Sequence, residues 1–334
     1  MTTVDRSSPL QKHFTPPLGL PPLEVVGIPS EAENAALRTL ETLCGRVYLR
    51  RFLRFAATQD SSRARWSVLV DATLAMSVDG ATRVFTDPTM TTLVNAEPRG
   101  IWSPDELVDC AARLVDEGAR GWDTGRHVRV SAIDEFWRRT RIPGSPEPYV
   151  EAGPGFLTEQ QDIVDEALVL IGDLWPSAHA SVLASVRRVI FLDPTADKPG
   201  YTAHQSRGLV WARPGEPHEL AQVLVHEGGH NILCSVIDLC ALADNQREAV
   251  ESPFGDDRPV YGVLHAAISF ARESLFARML LERGHRTSLG YDLAEYAADV
   301  TALARTSIGR LEEDAQLTSL GADLVRGIAH QALV

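Results

Sequence analysis

A predominantly helical α+β fold is expected for this 334-residue chain, on three observations. Apolar residues recur near a 3.6-residue period over long stretches, the mark of amphipathic helices. Only two short apolar runs, 186–192 and 208–212, have the length and β-branched content of buried strands, enough for one small sheet. Between the second run and the next long helical stretch stands AQVLVHEGGHNILC, a His-Glu-x-x-His signature on a helical pattern. The expected architecture is therefore a metal-binding HExxH helix packed against a second ligand-bearing helix and a small β-sheet.

Residues 1–30 hold Pro9, Pro16, Pro17, Pro21, Pro22 and Pro29, which suits an extended arm. From 31 to 55, Leu37, Leu40, Leu43 and Val47 recur at helical spacing, and 65–74 and 104–117 read as further helices. The D-G pair in SVDGATRVFTD, 77–87, predicts a hairpin. Pro and Gly concentrate at 140–154, so the chain divides into the arm 1–30, a mainly helical N-terminal region 31–150 and a metal-dependent catalytic domain 151–334. That domain opens with a helix over 158–174 capped by Thr158. The two strands follow, with His204 in the loop between them. Helices over 291–306 and 308–325 close the chain.

The motif helix is well specified. Pro217 suits a first turn, Glu216 and Glu219 suit the positive end of the dipole, and Leu220, Val223, Leu224, Ile232 and Leu233 give an apolar surface. Positions four apart share a face, so His226 and His230 can reach one divalent ion while Glu227 points beside it. Gly228 and Gly229 each cost roughly 1 kcal/mol against Ala in a helix interior, which predicts a close backbone approach by a ligand or a crossing helix.

A third ligand has to come from elsewhere. The metzincin pattern requires Gly at 233 and His at 236, where this chain has Leu233 and Val236. Cys234 lies about 12 Å along the helix axis from His226, too far to share one ion with it and His230, and is read as a core residue. His265 stands in GDDRPVYGVLHAAISFARESLFARMLLERG, a second helix with Pro259 near its start and Gly284 after its end. It is weighed above Glu273, which would complete the site as in gluzincin peptidases. Arg272 shares the His265 face, where a buried cation needs an anion such as Glu248 or Glu251 or one from a ligand.

The run from His204 to Arg272, including SRGLVWARP, ELAQVLVHEGGH and DDRPVYGVLHAA, resembles the HExxH-motif proteins found with peptide-modification gene clusters. Members of that family are iron- and 2-oxoglutarate-dependent peptide β-hydroxylases. The resemblance covers roughly seventy residues and implies that His226, His230 and His265 are Fe(II) ligands, with 2-oxoglutarate as co-substrate and a peptide or peptide-linked amino acid as substrate. The far carboxylate of the keto acid would need a cation, and Arg is preferred because its planar fork matches a carboxylate. Arg272 and then Arg258 are the candidates. None of the ten His residues is followed two positions later by Asp or Glu, so the H-x-D set of the β-barrel oxygenases is absent. Two alternatives stand beside this reading. One is a zinc metallopeptidase with Glu227 as general base; the other is a non-catalytic peptide-binding module.

A formal net charge of −13 opposes electrostatic binding to nucleic acid or to an anionic membrane. No apolar run reaches the roughly 18 residues of a membrane span, and no basic region followed by an apolar stretch opens the chain. Cys44, Cys110, Cys234 and Cys240 have no C-x-x-C pairing, so a reducing, cytoplasmic setting is expected.

Overall fold

Helices account for most of the residues that the computed structural model describes, which are 31–59, 62–95, 102–120, 128–132, 136–137 and 153–332. The arm and most of the 140–154 boundary lie outside them. The first part supplies α1 (Glu31–Ala57), α2 (Arg63–Leu74), α3 (Val78–Thr86), α4 (Pro88–Asn95) and α5 (Pro104–Arg120). After β1 (Arg129–Val130) come α6 (Pro154–Leu174), α7 (Pro176–Ser185), β2 (Arg188–Phe191), β3 (Gly200–Tyr201) and β4 (Leu209–Ala212). The remainder is α8 (Pro217–Leu239), β5 (Ala249–Glu251), β6 (Asp257–Pro259), α9 (Val260–Glu282), β7 (Thr287–Ser288), β8 (Tyr291–Asp292), α10 (Leu293–Asp314) and α11 (Ser319–Ala332).

The main sheet has the order β1-β2-β4-β3, with β1, β2 and β4 parallel and β3 antiparallel at the edge. In its two central strands residues 189–191 and 209–212 are apolar throughout because both faces are covered, as parallel strands require. Ile190, Leu192, Leu209 and Trp211 face a core made with α1, α2, α3, α4 and α5, where Tyr48, Phe52, Trp66, Phe85 and Met90 are buried. Val189, Phe191, Val210 and Ala212 face the opposite core, made with α6, α7 and α8. A third core joins α8, α9, α10 and α11 to the Leu40 and Cys44 face of α1.

Several local expectations are corrected. The 77–87 segment is a helix rather than a hairpin, because Ser77 caps it by accepting from the Gly80 N–H at 3.1 Å and Asp79 sits in its first turn. Thr158 lies inside α6, its hydroxyl donating to the Pro154 carbonyl, and Pro154 opens the helix. The last two helices divide at 315–318, not at 307: Ile308 is buried within α10, so its apolar face runs on unbroken.

Gly321 shows why the first turn of α11 has its sequence. A Cβ there would stand 1.9 Å from the Leu242 carbonyl oxygen, a backbone atom that cannot swing away. Helix propensity alone favours Ala by roughly 1 kcal/mol. Overpacking should reverse that sign, so Gly321→Ala is expected to lower the unfolding free energy by about 1 to 3 kcal/mol in denaturant melts. A stabilised Gly321→Ala protein would show that the approach is not as close as described.

Candidate functional site

Helix α8 begins as expected. Pro217 occupies its first turn, and Glu216 and Glu219 form a reciprocal capping box, the Glu219 carboxylate accepting the Glu216 N–H at 3.1 Å. The two glycines inside the motif are explained by crossing helices. A Cβ at Gly228 would come within 3.0 Å of Val182 on α7, and one at Gly229 within 2.9 Å of the Arg272 side chain on α9. Small residues there let α7 and α9 approach the motif helix from two sides.

Contacts between α8 and α9 run in opposite sequence directions, as for an antiparallel pair: Gln222 and His226 meet Glu273, while His230 and Cys234 meet His265. His226 Nδ1 lies 2.7 Å from Glu273 Oε2. Its Nε2 faces His230 Nε2 at 3.1 Å, and the other nitrogen of His230 lies 2.9 Å from His265 Nδ1. His265 Nε2 ends the row 3.8 Å from Cys234 Sγ. Glu273 is further held by Gln222 Nε2 at 3.4 Å and by the Tyr296 hydroxyl from α10.

The electrostatics follow from these neighbours. Burial disfavours charge on His226, but the Glu273 carboxylate outweighs it and raises the imidazole to about 9. Glu273 is held below the usual carboxylate range by the same pairing, against the effect of burial. Burial and the cation at His226 push His230 well down, and burial takes His265 to about 3. Glu227 points toward edge strand β3, where a Cβ on Gly200 would lie 3.1 Å from its Oε1. Burial raises Glu227 to about 7, and its Oε2 has no hydrogen-bond partner among the described residues.

Once His226 gives up its Nε2 proton, Glu273 still accepts from Nδ1–H and the Nε2 lone pair can bind a cation. Two imidazoles sharing an ion at the usual metal–nitrogen length of about 2.0 to 2.1 Å place their nitrogens roughly 3 Å apart. The 3.1 Å Nε2–Nε2 separation fits that arrangement. Among the described residues, no group of three His, Cys, Asp or Glu side chains is disposed to hold an ion as the side chains stand. His265 meets the ring edge of His230 opposite the one facing His226, and Glu273 occupies the corresponding outer position on His226.

Arg272 is fully buried and has neither Glu248 nor Glu251 as partner. Its Nε donates to the Val225 carbonyl at 3.2 Å, one Nη donates to Ser181 Oγ at 2.8 Å, and its guanidinium lies over the Trp175 ring. All three partners are neutral, and burial lowers its pKa to about 10. Glu251 is instead paired with Arg310. Arg258 is not brought into the row: it lies on β6, its Nε 3.0 Å from both oxygens of Asp256, with its guanidinium over Phe254.

Sequence reasoning missed Asp238, Tyr296 and Ser181. Asp238 continues the i+4 ridge His226, His230, Cys234, a signal that could have found it. Its side chain, 4% exposed, accepts from the Tyr48 hydroxyl at 2.7 Å, Arg51 at 3.0 Å and Arg207 at 3.2 Å, and His204 Nε2 lies 3.3 Å away. Tyr296 and Ser181 come from other helices and carry no local mark. No protein-family model matches this chain, and no curated protein matches it.

Proposed function

We propose that this chain is a non-haem Fe(II)/2-oxoglutarate-dependent oxygenase that hydroxylates a C–H, at a β-carbon, of a peptide or peptide-linked amino acid. The observation that carries the reading is Arg272, a buried cation with only neutral partners, held on the carbonyl of Val225 next to His226, one of two imidazoles whose Nε2 atoms converge. An unpaired buried charge costs several kcal/mol, so an anionic co-substrate would relieve it. A peptidase needs no such anion.

In this reading His226 and His230 would hold Fe(II) through Nε2, and His265 would complete the set as the third imidazole by turning away from its contact with His230 Nδ1. Bound Fe(II) and 2-oxoglutarate would supply the oxidising chemistry, with dioxygen consumed and the keto acid released as succinate and carbon dioxide. Glu273 keeps His226 in the tautomer that presents Nε2, and Tyr296 and Gln222 keep Glu273 in place. Arg272 pairs with the far carboxylate of the keto acid. Glu227, near neutrality in its titration, holds or passes a proton beside the imidazoles.

Iron-loaded protein is expected to bind 2-oxoglutarate under anaerobic conditions and to convert it to succinate with dioxygen and substrate. Arg272→Leu should weaken 2-oxoglutarate binding by about 2 to 4 kcal/mol, the scale for removing one member of a buried charge pair, with iron content unchanged. Unaltered affinity in that variant would remove the main support for the reading. One observation favours a second reading, a zinc peptidase. The orphaned, buried Glu227 carboxylate with a pKa of about 7 is what a general base beside a metal-bound water needs. Zinc-supported peptide cleavage abolished by Glu227→Gln would establish it instead.

A further inference from the structure

Three aromatic side chains are exposed among the described residues, Phe254 at 52%, Tyr261 at 43% and Tyr291 at 57%, and all three are linked to the imidazole row. Phe254, in the turn between β5 and β6, packs edge-on against Phe270 with centroids 5.8 Å apart, and Phe270 packs edge-on against His226 at 5.7 Å. Tyr261 meets His265 directly at 6.5 Å. Tyr291, on β8, stacks on Tyr296 at 5.4 Å with an interplanar angle of 19°, and the Tyr296 hydroxyl holds Glu273. These residues come from three separate segments, and none is needed to complete a core. Exposed large apolar residues scattered over a surface need no explanation, but aromatic ones gathered about a row of part-buried titratable groups do.

We infer that Phe254, Tyr261 and Tyr291 form a recognition rim that grips an apolar or aromatic side chain of the peptide substrate. The inference rests on the proposed peptide-modifying function. Aromatic rings also bind cations, and the overall negative charge of the chain would draw them. At Phe254, however, that role is already filled by the protein's own Arg258, whose guanidinium lies 4.8 Å from the ring centroid. What remains for a ligand at Phe254 is ring edge and apolar surface, which pairs with another apolar or aromatic group. The Tyr hydroxyls add hydrogen-bonding capacity for a peptide backbone at the same rim.

The test is binding of the uncharged-terminus tripeptides acetyl-Gly-Xaa-Gly-amide, with Xaa as Phe, Leu, Ala or Lys, to the full chain by ligand-observed NMR titration. The Phe peptide is expected to bind about tenfold more tightly than the Ala peptide, the equivalent of 1.4 kcal/mol, and the Leu peptide to fall between them. Phe254→Ala combined with Tyr291→Ala should erase that preference while the far-UV circular dichroism stays unchanged. A preference for the Lys peptide, equal binding of all four, no binding of any, or a Phe preference that survives the double substitution would each overturn the inference. The readout needs neither iron nor 2-oxoglutarate. An apolar preference without keto-acid turnover would therefore count against the oxygenase reading alone, and turnover without an apolar preference against the rim alone.

Discussion

Replacing either His226 or His230 with Ala is expected to remove most Fe(II) from the reconstituted protein and to abolish 2-oxoglutarate turnover, with the circular dichroism of the folded chain retained. The pair supplies the converging nitrogens, 3.1 Å apart, so neither ring can be lost without leaving an incomplete site. Outer partners have smaller effects: substitution of a group that orients a metal-bound His weakens metal binding by roughly 10- to 100-fold. Glu273→Gln should fall in that range, because it removes the carboxylate from the 2.7 Å contact to His226 Nδ1. His265→Ala discriminates between two roles. A loss of metal as complete as in His226→Ala identifies the third ligand, whereas a loss of roughly 10- to 100-fold identifies a partner that orients His230 across their 2.9 Å contact. Stoichiometric, undiminished iron in His265→Ala would end the three-imidazole assignment, and the same result in His226→Ala would end the metal site itself.

Asp238→Asn is expected to be the most destabilising conservative change in the chain, by about 3 to 5 kcal/mol at neutral pH, the scale for breaking a buried ion pair from one side. Asp238 ties Tyr48 and Arg51 on α1 to Arg207 and to α8, and Arg207 is itself buried with one Nη lacking any partner among the described residues. An amide in its place leaves Arg207 with no carboxylate. Burial raises the Asp238 pKa, but the His204 contact and the charges of Arg207 and Arg51 outweigh it and hold it well below the usual carboxylate range. A depressed folded-state pKa means that the stabilisation is fully present above the unfolded value of about 4 and is lost as the pH falls through that value toward the folded one. Urea melts between neutral pH and about pH 3 should therefore show a steeper acid loss in the wild type than in Asp238→Asn. Parallel pH profiles would show that the carboxylate is not the link between α1 and α8.

Much of the site was legible along one helix. An i, i+4 spacing puts His226, His230, Cys234 and Asp238 on one ridge whatever the rest of the chain does, because 3.6 residues make a turn. Pro217, Glu216 and Glu219 likewise specify where α8 starts, through groups within three residues of one another. The two central strands were equally plain as apolar runs, since both of their faces are covered. Where local signals competed, the reading failed: D-G in 77–87 suggested a turn, but Ser77 and Asp79 make a better helix start.

Everything that crosses between helices was decided by tertiary structure. The sequence by itself determined that His265, Arg272 and Glu273 share a second helix and that His226 and His230 share one face of the first. It did not determine that Glu273 would take the outer nitrogen of His226 and His265 that of His230, or that Arg272 would meet only Ser181, Val225 and Trp175. Those contacts depend on how deeply α9 and α7 settle against α8, which Gly229 and Gly228 permit by lacking a Cβ. Helical periodicity assigns a residue to a face, but the ring nitrogen that meets a given partner is set by the spacing and crossing of two packed helices, which no local pattern encodes.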